Sequence, residues 1–139
     1  MKIPGLYDKK SVTVHSAKQG KRIDLDNIYF RSAWEANMAR YFKFLKDKGM
    51  IYNWEFEADT FYFDKVRHGS RTYLPDFKIW ETANSTPYYI EVKGYMTSVC
   101  RTKLKRMQKY YPHIRVDLVQ KKEYDEIKAK MSAMLPHWE

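Results

Sequence analysis

The predicted fold depends most on the segment YLPDFKIWETANSTPYYIEVKGY, residues 73–95. Both of its ends are rich in β-branched and aromatic residues, and polar TANSTP separates them, which is typical of two strands joined by a loop. Pro75 lies inside the first run and cannot donate a ladder hydrogen bond, so we expect an edge, a bend or a bulge there. Asp76, the next residue, is therefore predicted at an irregular point of the chain.

The second run, YYIEVKG, carries charged residues at alternate positions. Because successive side chains of a strand point to opposite faces, Ile90 and Val92 are expected on one face and Glu91 and Lys93 on the other. Together with the acid on the first strand, these residues offer two hard oxygen ligands for Mg²⁺ or Mn²⁺ and an ammonium group beside them. Such a set suits phosphodiester hydrolysis. The residues alone also allow a solvent-exposed ion pair between Glu91 and Lys93.

Upstream of this stretch, RSAWEANMARYFKFLKDKG, residues 31–49, has the pattern of an amphipathic helix. Ser32 suits its N-cap, and Gly49 suits the position after its C-cap. Apolar side chains recur at helical spacing, namely Trp34, Met38, Tyr41, Phe42 and Leu45.

Strand and helix patterns alternate over the remaining chain. MIYNWEFEA, TFYFD and RTYLPDFKIWE are rich in strand formers, with KVRHGS as a hairpin connection between the last two. Residues 97–110 predict a basic helix, IRVDLVQ a strand and KKEYDEIKAKMSAML a C-terminal helix. The order helix, three strands, helix, strand, helix predicts an α/β or α+β fold, in which helices flank a central mixed sheet with a parallel crossover within residues 88–120.

The length of 139 residues suits one domain, and apolar residues make up 44% of the chain, enough for one core. Residues 1–27 show little periodicity and are predicted to form a basic N-terminal arm, with the domain spanning residues 28–139. No apolar run approaches the roughly 20 residues of a membrane span, and a secretory signal is not expected. A single cysteine, Cys100, argues against disulfides and multi-cysteine zinc sites, so we expect a reducing cytoplasm.

The net charge of +9 suggests a polyanionic partner, with nucleic acid ahead of a membrane surface or an acidic protein. The basic residues are concentrated in two places. Five of them and no acidic residue lie between Thr97 and His113, and the first 31 residues contain seven Lys or Arg against three Asp. This distribution is typical of a phosphate-binding surface.

Pro75-Asp76, followed after fourteen residues by Glu91-Val92-Lys93, resembles the PD-(D/E)xK motif of the restriction-endonuclease-like nuclease superfamily. The segment YIEVKG resembles the second half of that motif closely, although E-x-K alone is common. The resemblance covers roughly residues 28–120. It implies a restriction-endonuclease-like αβββαβ core, here with an extra C-terminal helix.

The resemblance also implies a role for each matching position. Asp76, Glu91 and the backbone carbonyl of Val92 would bind Mg²⁺, with Mn²⁺ as a substitute, and Lys93 would serve the attacking water. Many members of the superfamily place a further glutamate on the first helix, and Glu35 matches that position as a fourth catalytic residue and a further metal ligand.

Glu35 has an alternative role that the residues alone favour. Ser32 and Glu35 form the S-x-x-E pattern of a capping box, in which the glutamate bonds back to the Ser32 amide. Both roles put the same side chain near the start of the helix.

Basic residues near these positions are candidates for DNA contacts. Related nucleases often place a basic or amide side chain against the scissile phosphate on the helix after the E-x-K strand, and Lys103 or Lys105 suits this role. A solvated helix face is the alternative. The full set of candidates is Arg31, Arg71, Arg101, Lys103, Lys105 and Arg106.

The expected function is that of a Mg²⁺-dependent DNA endonuclease. Small phage and archaeal Holliday-junction resolvases of the superfamily have this size and act as homodimers, so we expect a structure-selective enzyme for branched DNA in a bacterial, archaeal or phage-infected cell. A sequence-selective, restriction-type or transposase-type endonuclease of the same superfamily is the alternative among nucleases. A basic DNA-binding or packaging factor without catalysis is the alternative of another class.

Overall fold

The computed structural model describes residues 18–139, so the first 17 residues of the predicted arm lie outside the described part of the chain. None of the helices within these bounds combines the length and apolar character needed to cross a membrane. The strands are β1 (Gly20–Arg22), β2 (Ile28–Phe30), β3 (Asn53–Phe56), β4 (Phe61–Tyr62), β5 (Thr72–Tyr73), β6 (Phe77–Trp80), β7 (Tyr88–Val92) and β8 (Val116–Val119). The α-helices are α1 (Ala33–Asp47), α2 (Ser98–Tyr110) and α3 (Lys121–Met131).

Four strands form the central sheet, in the order β3-β6-β7-β8. Strand β6 runs antiparallel to both β3 and β7, whereas β8 runs parallel to β7 and is reached through α2. The prediction of a mixed α and β fold with a parallel pair of strands around residues 88–120 is confirmed. Along the chain, the helices and the strands of this sheet follow one another as α1, β3, β6, β7, α2 and β8, which is the order αβββαβ.

The two faces of the sheet are covered by different elements. On one face, Ile90 and Val92 pack with buried residues of α1 and with Tyr124 of α3 in the main core. On the other, Phe63 and Met107 belong to a second cluster, which joins the β4–β5 hairpin to α2. The alternation predicted for β7 is confirmed, because Ile90 and Val92 lie in the core.

Helix α1 begins and ends where the sequence predicts. The Glu35 N–H donates to Ser32 Oγ at 3.1 Å, which makes Ser32 the N-cap. Gly49 follows the C-cap residue and has a φ of 71°, in the left-handed region that glycine adopts without a steric penalty.

The chain passes from the hairpin to the central sheet at residues 74–76. Strand β5 pairs only with β4 among the described strands, whereas β6, four residues after Tyr73, pairs with β3 and β7. Pro75 lies in this transition, so the bend predicted from the proline is confirmed. As a result, Asp76 stands immediately before β6, beside the centre of the sheet.

Residues 18–27 differ from the arm predicted for residues 1–27. Strands β1 and β2 form an antiparallel hairpin with Gly20 opposite Phe30, and Leu25 in the connecting turn is buried. Arg22, only 7% exposed, donates from Nε to the Glu139 carboxylate at 2.8 Å. This partner is 117 residues away in the sequence, so no local pattern announces the hairpin.

Candidate active site

Asp76 and Glu91 lie opposite each other on neighbouring strands. Strands β6 and β7 pair with Phe77 opposite Ile90, and the same antiparallel register, continued by one residue, puts Asp76 opposite Glu91. Directly opposed residues project from the same face of a sheet, and so does Lys93, two residues beyond Glu91. The structure therefore brings together the two acids and the lysine that the sequence singled out.

Each of the two carboxylates is fixed by one hydrogen bond. The Val92 N–H donates to Asp76 Oδ2 at 2.8 Å, and the Tyr73 hydroxyl donates to Glu91 Oε1 at 2.7 Å. Lys93 Nζ lies 3.9 Å from Glu91 Oε2. Asp76 is 4% exposed and Glu91 7%. A solvent-exposed ion pair is therefore the wrong interpretation of Glu91 and Lys93, because the glutamate is buried.

Burial destabilises the charged forms of the two acids. Burial raises the pKa of Asp76 well above its usual range, and the charges of Glu91 and Glu35 raise it further. Burial also raises the pKa of Glu91, against the opposing effects of the Tyr73 hydrogen bond and the Lys93 charge. Two desolvated carboxylates in one site repel each other, and a positive ion between them relieves that repulsion.

Glu35 approaches the same site from the start of α1. Burial raises its pKa, and its charge raises the pKa of both Asp76 and Glu91. Its Oε1 accepts a hydrogen bond from the Arg31 N–H at 3.0 Å. The predicted capping box is therefore correct for the Ser32 hydroxyl and wrong for the return bond, which goes to Arg31 instead of Ser32. Glu35 thus closes the helix end and adds negative charge to the site.

An open cleft of about 490 Å³ lies beside these residues. Glu35 of α1 forms part of its wall, as do Val92 and Lys93 at the end of β7. The loop at residues 94–97 and the side chain of Lys121 complete it on the side of α2 and α3. The Lys93 side chain is 37% exposed, so a ligand that enters the cleft from solvent would contact it.

The donor set fits a hard divalent cation. Mg²⁺ keeps several waters and is commonly held by one or two carboxylates together with substrate phosphates. Asp76 and Glu91 supply two carboxylates, and the Val92 backbone lies next to them through its bond to Asp76. Among residues 18–139, no group of three or more Asp, Glu, His or Cys side chains converges on one point.

Lys103 is the residue of the basic helix that the structure brings to the site. Its charge lowers the pKa of Glu91, against the effect of burial, which places it within electrostatic reach of the acids. Its side chain is half-buried, whereas Arg101 and Lys105 are exposed on α2. Of the two lysines proposed to meet the scissile phosphate, the structure thus favours Lys103.

Two of the arginines predicted to contact DNA have internal partners in the hairpin connection. The Arg106 guanidinium donates to the carbonyls of Ser70 and His68, the latter at 2.9 Å. Arg71 donates to the Arg67 carbonyl at 3.1 Å. Arg106 therefore braces the β4–β5 hairpin against α2 with two of its donors directed at the backbone, and its contact with DNA stays a prediction.

Arg31 lies beside the acids and pairs with Glu57. The charges of Glu57, Glu35 and Asp76 raise the pKa of Arg31, although burial opposes them. Glu57 itself has a φ of 51°, uncommon for a residue with a side chain, and its N–H donates to the Asp76 carbonyl at 2.8 Å. Backbone strain of this kind is often found beside functional sites.

Sequence reasoning missed Tyr73 and Glu57. The Tyr73 hydroxyl donates to Glu91, eighteen residues away, so no local pattern of the sequence indicates the contact. Glu57 gives no signal, because the contacts that make it part of the site, to Arg31 and to the Asp76 backbone, arise only in the fold.

Similarity to known proteins identifies a family but no activity. Residues 15–126 match the family described as "Protein of unknown function (DUF1064)". The match includes all of the central sheet and the residues Glu35, Asp76, Glu91 and Lys93. No curated protein and no solved structure matches the chain significantly. Because the matched residues make up well over half of the 139, the chain belongs to the DUF1064 family of proteins of unknown function.

Proposed function

We propose that the chain is a divalent-metal-dependent DNA endonuclease of the PD-(D/E)xK type. The observation that carries the proposal is the position of Asp76 opposite Glu91, with Lys93 on the same face of the sheet. The order αβββαβ and the mixed four-stranded sheet support the same superfamily. Burial of both acids supports a functional role as well, because desolvated carboxylates are costly to keep without one.

In this proposal the residues of the site have separate tasks. Asp76 and Glu91 would hold Mg²⁺, which would supply polarisation of the phosphoryl oxygen and a lowered pKa for a bound water. Lys93 orients the attacking water and offsets the negative charge that develops on the phosphate. Tyr73 fixes one oxygen of Glu91, so that the carboxylate keeps a single orientation. Lys103 binds a phosphate of the DNA from α2.

We further propose that the substrate is branched DNA, of which a Holliday junction is one form, and that the active species is a homodimer. The net charge of +9 and the acid-free basic segment of α2 support a DNA partner. A two-fold dimer would present two sites to two strands, as symmetric cleavage of a junction requires. The resemblance to small junction resolvases is the source of this expectation.

The proposal is tested by cleavage of labelled four-way, flap and linear DNA in Mg²⁺. Wild-type protein should cut branched DNA faster than linear DNA. Asp76→Asn and Glu91→Gln should each lose about 100-fold or more in rate, since metal-bound charge stabilisation contributes several kcal/mol. Asp47→Asn, the same change at an exposed acid of α1, is the matched control and should cleave as the wild type does.

The outcomes separate the alternatives. Cleavage that survives Asp76→Asn would remove the site assignment. Cleavage of linear DNA at one sequence would favour the sequence-selective alternative, and tight DNA binding without hydrolysis of any substrate would favour the packaging or binding factor.

A further inference from the structure

Tyr95 presents an exposed aromatic ring in the wall of the candidate active-site cleft. It follows Lys93 by two residues, in the loop that connects β7 to α2, and it lines the cleft together with Lys93 and Glu35. Tyr95 is 77% exposed.

The second aromatic residue of the cleft is already engaged. Trp34 stacks on Tyr124 with ring centroids 4.1 Å apart and planes 3° from parallel, so one face of its ring belongs to the core. Tyr95 is the more exposed of the two aromatic side chains of the cleft, since Trp34 is half-buried.

The loop that carries Tyr95 is anchored at both ends. The Lys93 N–H donates to the Val119 carbonyl at 2.9 Å, and the Thr97 Oγ1 accepts from the Cys100 N–H at 3.1 Å. A ring on a fixed backbone loses little conformational entropy when it binds a ligand. The residues that flank the Tyr95 loop are thus held by hydrogen bonds.

We propose that Tyr95 stacks on an unpaired base of the DNA next to the phosphate that is cleaved, so that the preferred substrate has a single-stranded nucleotide at the cut site. Exposed aromatic rings interleaved with basic side chains are the usual means of binding single strands. In a duplex the base faces are covered by their neighbours and only the edges are accessible. A ring at this place therefore selects DNA in which a base has left the stack.

The surroundings of Tyr95 suit such an occupant. Lys93 and Lys121 line the cleft together with the ring, so a phosphate next to the base meets positive charge. The cleft volume of about 490 Å³ is within the roughly 300–1,000 Å³ of small-ligand sites and leaves room for one base. The inference rests on the proposed function for the place of the cleaved phosphate.

The test is a binding experiment in EDTA, in which metal-dependent hydrolysis is switched off. Fluorescein-labelled flap DNA and linear duplex DNA of the same sequence are titrated, and 2-aminopurine at the unpaired position reports stacking. Tyr95→Ala should weaken binding of the flap DNA by about 5-fold to 100-fold and abolish the quenching of 2-aminopurine, because one base–aromatic stack is lost. Binding of linear duplex should change less than about 2-fold, because that stack is absent there.

Two variants control the experiment. Tyr95→Phe keeps the ring and should retain both affinity and quenching. Tyr52→Ala removes a tyrosine that is 56% exposed just before β3, at the end of that strand away from Asp76, and should leave both DNAs unaffected. An equal loss of affinity for both DNAs in Tyr95→Ala, or no loss at all, would overturn the inference.

Failure of this inference and failure of the proposed function give different results. If the wild type hydrolyses no DNA but the Tyr95→Ala effect on flap binding is present, the endonuclease proposal falls and the stacking site stands. If hydrolysis depends on Asp76 but Tyr95→Ala binds flap and duplex DNA as the wild type does, the stacking site alone is wrong.

Discussion

Asp76 is a residue at which the needs of folding and of the proposed function oppose each other. Its carboxylate is 4% exposed and faces a second buried carboxylate, that of Glu91. Burial, followed by the charges of Glu91 and Glu35, raises its pKa well above the usual range. A raised pKa means that the charged form is destabilised in the folded protein, so the site costs stability until a cation enters it.

We therefore expect Asp76→Asn to stabilise the protein at neutral pH without divalent ions. Asparagine keeps an oxygen for the Val92 N–H and removes the charge. A rise of a few degrees in Tm is expected, the effect of about 1 kcal/mol on a domain of this length. The charged Asp76 carboxylate destabilises the folded protein fully at pH values above its raised folded-state pKa. This destabilisation is lost as the pH falls towards the pKa of about 3.9 that the group has in the unfolded chain. Melting curves at about pH 7.5 and about pH 4 should show the gain only at the higher pH.

Asp47→Asn and Mg²⁺ serve as controls for this prediction. Because Asp47 is exposed, Asp47→Asn should have the same Tm as the wild type at both pH values. Mg²⁺ should raise the Tm of the wild type and not that of Asp76→Asn, since an ion that binds only the folded state stabilises it. A lower Tm for Asp76→Asn at neutral pH would contradict the electrostatic argument.

Among the elements, those that depend on local sequence patterns are the ones that the sequence predicts correctly. Helix α1 follows from apolar residues at helical spacing between a Ser32 cap and Gly49, and the alternation of β7 already puts Glu91 and Lys93 on one face. The transition at residues 74–76 follows from Pro75, since proline cannot continue a central ladder. These three features put the two acids and the lysine on neighbouring strands, and the resemblance to the PD-(D/E)xK motif implies their roles.

Features that depend on distant partners were not predictable in the same way. The β1–β2 hairpin is held by Arg22 and Glu139, which no short pattern connects. The Arg106 side chain looked like one more charge of a basic helix, and only the fold directs it at the carbonyls of His68 and Ser70. Charge in a sequence shows that a cation is present, but its partner is set by tertiary packing.

Arg106 is expected to stabilise the β4–β5 hairpin. Arg106→Gln shortens the side chain and removes the charge, so the bonds to the two carbonyls are lost. Loss of about 1–2 kcal/mol in local opening energy should follow, because hydrogen bonds from a charged donor are worth about that much. Hydrogen exchange at the Phe63 amide, which donates to the Arg71 carbonyl at 2.8 Å, should accelerate by about 10-fold, while exchange in β7 stays the same.

Lys105→Gln removes a charge from the position next to Arg106 and controls for the net charge of the helix. Because Lys105 is exposed, its substitution should leave exchange in the hairpin unchanged. A variant at Arg106 that binds DNA more weakly but exchanges normally would favour a contact of this arginine with DNA over the bracing role.

At the scale of the whole molecule, the sheet separates two sides of different charge. Helix α2, on the side of the second cluster, contains five basic residues and no acidic one. Helix α3, which contributes Tyr124 to the main core on the other side, alternates lysines with acids, as in the ion pair between Lys121 and Asp125. A polyanion that reaches Lys103 near the acids would therefore lie along α2.

We expect Lys103→Gln combined with Lys105→Gln to weaken the binding of DNA of any sequence and to reduce the salt dependence of that binding. Each phosphate contact releases condensed counterions. A plot of the logarithm of the affinity against the logarithm of the salt concentration therefore has a slope of about −0.9 for each contact on duplex DNA. Loss of two contacts should make the slope less steep by about 2. Lys128→Gln combined with Lys130→Gln removes the same charge from exposed positions of α3 and should leave the slope nearly unchanged. Anisotropy titrations between about 50 and 200 mM salt measure both slopes, and equal slopes for the two double variants would show that α2 is not the DNA-binding surface.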